Sequence, residues 1–165
     1  MTEQQVYTLV EQRKGYELRE YAPVAIAAVA VSGNLQSAPY QGFNSLFRYI
    51  SSNNIAMTSP VIQRENAADR WTIEFVMPAG AKAEDLPVGT AQGVEVRQQP
   101  AQLCAVVALR GGLSNPRVLR KDAELRAAIE RDGIKITGEL QVARFNSPFM
   151  PVPLRYSEIR YPVAQ

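Results

Sequence analysis

The sequence predicts an α+β fold, a single domain of two pseudo-symmetric β-α-β-rich repeats. Three observations carry that prediction. Residues 16–35, YELREYAPVAIAAVAVSGNL, align without a gap on residues 94–113, VEVRQQPAQLCAVVALRGGL, at a constant offset of 78 positions. Seven of the 20 pairs are identical, among them Glu17/Glu95, Arg19/Arg97, Gly33/Gly111 and Leu35/Leu113. Short alternating or small-apolar runs, the mark of strands, fill most of each copy, and each copy then continues into one segment of helical spacing. Two copies indicate a duplicated fold, because a solenoid needs about three. One domain is expected over 1–165, with repeat one at about 6–78, a linker at 79–93 and repeat two at 94–163. The seam between such halves is a natural place for a pocket.

The elements follow in order. Residues 6–11 and 16–21 alternate as a hairpin turning at Lys14 and Gly15. The nearly continuous small-apolar run 24–31 reads as a central strand. Ser37 is expected to cap the first helix, with Pro39 in its first turn. Phe43, Leu46, Phe47 and Ile50 follow the i, i+3, i+4, i+7 spacing of one apolar face, and the polar run 51–54 ends it. Strands are expected at 55–64 and 71–77 around a polar turn at 65–70. The Ala-, Gly- and Pro-rich stretch 78–93 reads as a surface linker. The second half repeats the order with strands at 94–99 and 103–110. A helix follows from Asn115 and Pro116 to Gly133. A strand at 141–145, a proline-rich loop at 147–153 and a last strand at 157–163 complete it.

Composition excludes several function classes. The chain of 165 residues is long enough for a core that buries about 70% of its unfolded surface. A net charge of +2, with no basic run, gives no reason to expect a nucleic-acid partner. The longest apolar run is too short for membrane insertion, and the first residues have no signal-peptide pattern. A single cysteine, Cys104, suits a reducing compartment, so a cytoplasmic location is expected. The chain has no histidine. That absence removes Ser-His-Asp and Cys-His catalysis, the usual zinc sites and a histidine ligand to haem iron.

Few residues offer chemistry. Thr58 and Ser59 lie in a turn that Pro60 forces out of helical geometry, and without a nearby base they read as structural. Cys104, within LCAVVAL, reads as a buried inert thiol. The carboxylates show no paired spacing. No catalytic constellation is legible, so the chain is not expected to be an enzyme. The helices differ in character: the second has charges wherever it is not apolar, whereas the first has only Arg48 between Ser37 and Asn54. Its remaining face, Tyr40, Gln41, Asn44, Ser45 and Tyr49, is poorly suited to plain solvent exposure. Either the late loop covers this helix, or the helix forms one wall of a hydrophobic groove. Phe145, Phe149 and Met150, among prolines, are either a lid on the core or a ligand contact.

The segments YELREY (16–21), LFRYISSNNIAMTSPVI (46–62), WTIEFVMP (71–78) and RFNSPFMPVPLRYSEI (144–159) together resemble the SOUL/haem-binding protein family. The resemblance covers about residues 6–163. It implies a distorted β-barrel with a helix packed on each half, and a tetrapyrrole in a hydrophobic groove along the first helix. Carried over by position, that groove is lined by Phe43, Leu46, Phe47 and Ile50, with Phe145, Phe149 and Met150 opposite. Arg48 stands where family members carry a basic residue that can meet a propionate. Arg155-Tyr156-Ser157-Glu158 replaces the usual Arg-Arg-Asn-Glu, and Phe145-Asn146-Ser147-Pro148 replaces the commoner Tyr-Asp-Pro-Pro. Haem, or another porphyrin-like small molecule, is therefore expected without histidine ligation, held by burial and charge or weakly by Met57, Met150 or a tyrosine. The alternatives are a protein-interaction or scaffold module, or a binder of a different hydrophobic ligand.

Overall fold

The structure is a computed structural model that describes residues 2–146 and 150–165. In chain order the strands are β1 (Glu3–Gln4), β2 (Tyr7–Arg13), β3 (Tyr16–Tyr21), β4 (Val24–Ser32), β5 (Thr58–Ser59), β6 (Val61–Ala67), β7 (Arg70–Val76), β8 (Glu95–Gln99), β9 (Gln102–Arg110), β10 (Lys135–Ile136), β11 (Gln141–Arg144) and β12 (Tyr156–Ala164). Helix α1 spans Ala38–Ser52 and α2 spans Asn115–Arg131. Ten strands form one curled antiparallel sheet, a half-barrel, in the order β2-β3-β9-β12-β11-β6-β7-β4-β8, with β10 on β12. The short β1 and β5 pair separately and in parallel. This is the expected α+β class.

The offset of 78 recurs in the pairing. Strand β3 pairs with β9, setting Glu17 opposite Val106 and Arg19 opposite Cys104. Strand β8 pairs with β4, setting Glu95 opposite Ala28 and Arg97 opposite Ile26. Every residue of one set is 78 positions from its counterpart in the other. Each half thus lends its first repeated strand to the second repeated strand of the other half. Backbone hydrogen bonds therefore stitch the two halves together along both of these strand pairs.

Period-two alternation divides the sheet into two faces. On one face Tyr16, Leu18, Ala27, Ile73, Phe75, Val142 and Ile159 pack with Leu46, Tyr49 and Ile50 of α1 and Leu125 and Ile129 of α2. This is the main core. Neither α1 nor α2 packs on the other face, yet Ile26, Glu74, Cys104, Val106, Glu158 and Arg160 on it are buried. It is the inside of the curl.

Several sequence expectations change. Ser37 does not cap α1 through its side chain. Instead Asn34 Oδ1 accepts the amides of Gln36 and Ser37, at 2.9 Å each, and Ser37 Oγ accepts the amide of Asn34. The strand expected at 55–64 is broken into β5 and β6; Thr58 and Ser59, expected in a structural turn, instead form β5 against β1, and the Thr58 hydroxyl donates to the Val76 carbonyl. The turn expected at 65–70 shrinks to Ala68 and Asp69, because β6 and β7 run on to meet at Ala67 and Arg70. The 79–93 stretch is more than a surface linker. Ala81, Ala83 and Leu86 pack on the core, and the Pro87 carbonyl accepts the Tyr49 hydroxyl at 2.6 Å.

Candidate functional site

Helix α1 packs on β4 and β7 through Ala38, Gly42, Leu46, Tyr49 and Ile50, all buried. Gly42 makes this close approach possible, because a Cβ there would lie 2.6 Å from Cγ1 of Ile73. The helix is therefore turned so that the expected apolar face is split. Leu46 and Ile50 point into the core, while Phe43 is 38% exposed and Phe47 48% exposed. Tyr49, expected on the outer face, is buried because its hydroxyl finds the Pro87 carbonyl. Tyr40, 65% exposed, extends the outer row.

The outcome is a stripe of three aromatic rings, Tyr40, Phe43 and Phe47, open to solvent along one side of α1. The Phe43 and Phe47 rings stack with centroids 5.8 Å apart, and Phe43 rests edge-on against Phe75 at 5.4 Å. Phe75 anchors the stripe to the sheet. Arg48, next to Phe47, is exposed and meets no carboxylate among the described residues.

A second cation stands at the Tyr40 end, and sequence reasoning missed it. Among the described residues the Arg144 guanidinium donates only to neutral acceptors, Leu35 O at 3.0 Å and Gln63 Oε1 at 3.3 and 3.0 Å. Burial, with Arg155 nearby, lowers it to about 10, so it remains charged at neutral pH; Tyr40 acts in the opposite sense. No local pattern in the sequence marks Arg144 as different from other arginines.

The residues expected opposite α1 do not all go there. Phe145 follows Arg144 on the strand and so points to the other face of the sheet, where its ring lies 5.3 Å from that of Tyr156. It does not face the α1 stripe. Met150 is partly buried, and its carbonyl accepts Arg155 Nε at 2.9 Å. Phe149 lies outside the described residues. Met57, a candidate weak iron ligand, packs against the main core. Among the described residues, no group of three or more Cys, Asp or Glu side chains is placed to hold a metal ion.

The inside of the curl carries a second constellation. Glu158 is bridged by two arginines: Arg160 donates Nε and Nη2 to Oε1, at 3.2 and 2.8 Å, and Arg19 donates Nη1 to Oε2 at 2.9 Å. The Tyr156 hydroxyl also donates to Oε2, at 2.7 Å. Burial alone would raise the Glu158 carboxyl, but Arg160, the Tyr156 hydroxyl and Arg19 hold it below its ordinary value. A similar triad lies across the sheet, where Glu74 accepts Arg64 at 3.2 Å and Arg97 at 2.7 Å. Arg19 and Arg97 are the pair that the internal repeat conserves. Cys104, on this same face, is pushed by burial up to about 11, so its thiol is inert at neutral pH. A cavity of about 310 Å³ opens onto the first triad.

A sequence profile described as SOUL heme-binding protein matches residues 2–162. No curated protein matches the chain. Among solved structures, the EcmrR C-terminal domain superposes with a TM-score of 0.72 at 12% identity, covering 97% of this chain and 99% of that one. The same protein in an EcmrR–DNA complex gives 0.69 at 13% identity, covering 94% of this chain and 60% of that one. A protein from Listeria innocua described as a hydrolase gives 0.65 at 15% identity, covering 94% of each chain. At such identities these likenesses concern the fold alone.

Proposed function

Since the chain belongs to the SOUL heme-binding protein family, we propose that it binds haem or another tetrapyrrole on the aromatic stripe of α1, without histidine ligation and without turnover. The observation that carries this reading is the exposure of Tyr40, Phe43 and Phe47 on one side of a single helix. Three large rings left in water are costly unless something covers them, and stacked rings suit a flat apolar macrocycle. Carboxylates on that ligand have a cation at either end of the stripe, Arg144 beside Tyr40 and Arg48 beside Phe47. In a chain with no histidine, affinity comes from apolar burial and charge, so the iron contributes little. The site is thus the outer side of α1 rather than a groove floored by Leu46 and Ile50, which are already buried in the core.

A second reading, a docking face for another protein, rests on the same stripe being open to solvent. One titration separates the two. Purified protein is titrated with haemin and with metal-free protoporphyrin, in wild type and in Phe47→Ala. Phe47 is about half exposed, so covering its remainder is worth ~1 kcal/mol, half the burial of a Phe side chain. The expected result is similar affinity for both porphyrins and about fivefold weaker binding by the variant. Binding of neither porphyrin refutes the porphyrin reading, affinity that depends strongly on iron refutes the minor role given to the iron, and affinity that Phe47→Ala leaves unchanged refutes the stripe as the site.

A further inference from the structure

We infer that the cavity at the Arg19–Glu158–Arg160 triad, inside the curl of the sheet, is a second binding site that takes a small planar anion of the aromatic carboxylate class. The inference is independent of the α1 stripe, which lies on the other face of the sheet. At about 310 Å³ the cavity is at the small end of ligand pockets. It has room for one or two rings and not for a tetrapyrrole.

The unused hydrogen-bonding capacity decides the sign of the ligand. Each oxygen of Glu158 already accepts two hydrogen bonds, from Arg160 twice and from Arg19 and Tyr156 once each. A carboxylate offers about four lone-pair sites, so Glu158 has none left for a cationic ligand. The groups left over are donors. Arg19 spends Nε on Glu17 and Nη1 on Tyr21 and Glu158, and no described residue accepts from its Nη2. Gln5 must turn its oxygen to Arg160 Nη1, at 2.8 Å, and Asn146 must turn its oxygen to the Tyr156 amide, at 2.6 Å. No described residue then accepts from either side-chain NH₂ group, on a cavity that both residues line.

Charge and shape agree with that sign. Two buried guanidinium groups face one buried carboxylate, and the other carboxylate that Arg19 meets among the described residues, Glu17, has its side chain 31% exposed. Water weakens that partly exposed pair far more than the buried ones. Three aromatic side chains line the cavity: Tyr7, with Arg19 stacked on its ring at 4.2 Å, and the tilted pair Phe145 and Tyr156. Aromatic lining and convergent donors fit a ring that bears a carboxylate. Stability alone does not explain the arrangement, because packed apolar residues generally replace a buried ion triad at little cost, and a triad kept for packing has no use for a cavity.

The test is a calorimetric and NMR titration of the full chain with benzoate, its neutral isostere benzamide and its cationic isostere benzamidinium. Saturable benzoate binding is expected, about tenfold tighter than benzamide, or ~1.4 kcal/mol, with no binding of benzamidinium. Arg19→Lys and Gln5→Ala should each weaken benzoate severalfold. Gln5→Ala removes a neutral partly exposed side chain, so it keeps the test usable if Arg19→Lys fails to fold. Phe47→Ala should leave benzoate binding as it is, and benzoate should not displace a porphyrin. Either result going the other way moves the anion to the α1 face and overturns the inference while sparing the porphyrin reading. No saturation by millimolar benzoate, or benzamidinium binding as well as benzoate, overturns it outright.

Discussion

Replacing Glu158 by Gln would remove one negative charge from between two buried positive ones. The cost can be worked from the site. Glu158 and Arg160 are each 2% exposed and Arg19 is 7% exposed, so water cannot take over the role of the carboxylate. The new amide keeps one acceptor oxygen, but its NH₂ must face guanidinium donors or the Tyr156 hydroxyl. Arg19 retains the carboxylate of Glu17, whereas Arg160 retains no carboxylate among the described residues, only the Gln5 oxygen and the Tyr21 and Phe145 rings. Removing one partner of a buried ion pair costs ~3–5 kcal/mol. For a chain of this length ~1 kcal/mol moves the melting temperature by about 2–4 °C, so a fall of about 6–20 °C is expected. Urea unfolding should show a lower midpoint with an unchanged slope, which identifies a loss of stability rather than a change in the unfolded state. Glu124→Gln provides the internal control. It breaks a helix-surface pair with Lys121 at 3.5 Å, whose carboxylate is 58% exposed, and such pairs are worth ~0–1 kcal/mol. If Glu158→Gln costs no more than Glu124→Gln, the triad is not the tightly paired buried cluster described above, and the reasoning about its unused donors falls with it.

Gly42→Ala tests how α1 is seated. In an exposed helix interior that change stabilises by ~1 kcal/mol, but here the added Cβ would meet Ile73 at 2.6–2.7 Å and Val29 at 3.1 Å. Net destabilisation of ~1–2 kcal/mol is expected by chemical denaturation, from overpacking set against propensity, and a more stable variant would mean that α1 sits further from β7. Alkaline stability tests the buried phenols. Burial raises Tyr21 to about 12, and burial together with Glu158 raises Tyr156 to about 12. Because their folded values lie above the ordinary ~10, their contribution is complete below pH ~10 and is lost as the pH rises towards 12. Melting curves should fall across that window, with Tyr156→Phe flattening the fall; a profile level to pH 12 would refute the shifts.

The sequence by itself determined the local and periodic part of this protein. The hairpin of β2 and β3, the small-apolar strands β4 and β9, and both helices were legible, because each rests on spacing and turn chemistry within a few residues. The repeat at an offset of 78 was visible too, and it reappears in the register of β3 on β9 and of β8 on β4. The family was readable from motifs, and the lack of histidine excluded several chemistries outright. Only the tertiary structure decided which way each side chain points among several apolar options. Phe43, Leu46, Phe47 and Ile50 look alike in a helical pattern, and it took the close contact at Gly42 to divide them into two buried and two exposed residues. Tyr49 went inward because a carbonyl 38 positions away was there to meet its hydroxyl. Phe145 left the α1 side because strand alternation sent Arg144 there instead. The triads show the same limit. Glu17 and Arg19, like Glu158 and Arg160, are spaced two apart and share one face of their strands, but an ion pair between β3 and β12 joins residues 139 positions apart. Periodicity carries the face that a residue occupies, and only the pairing of distant strands carries which charges meet there.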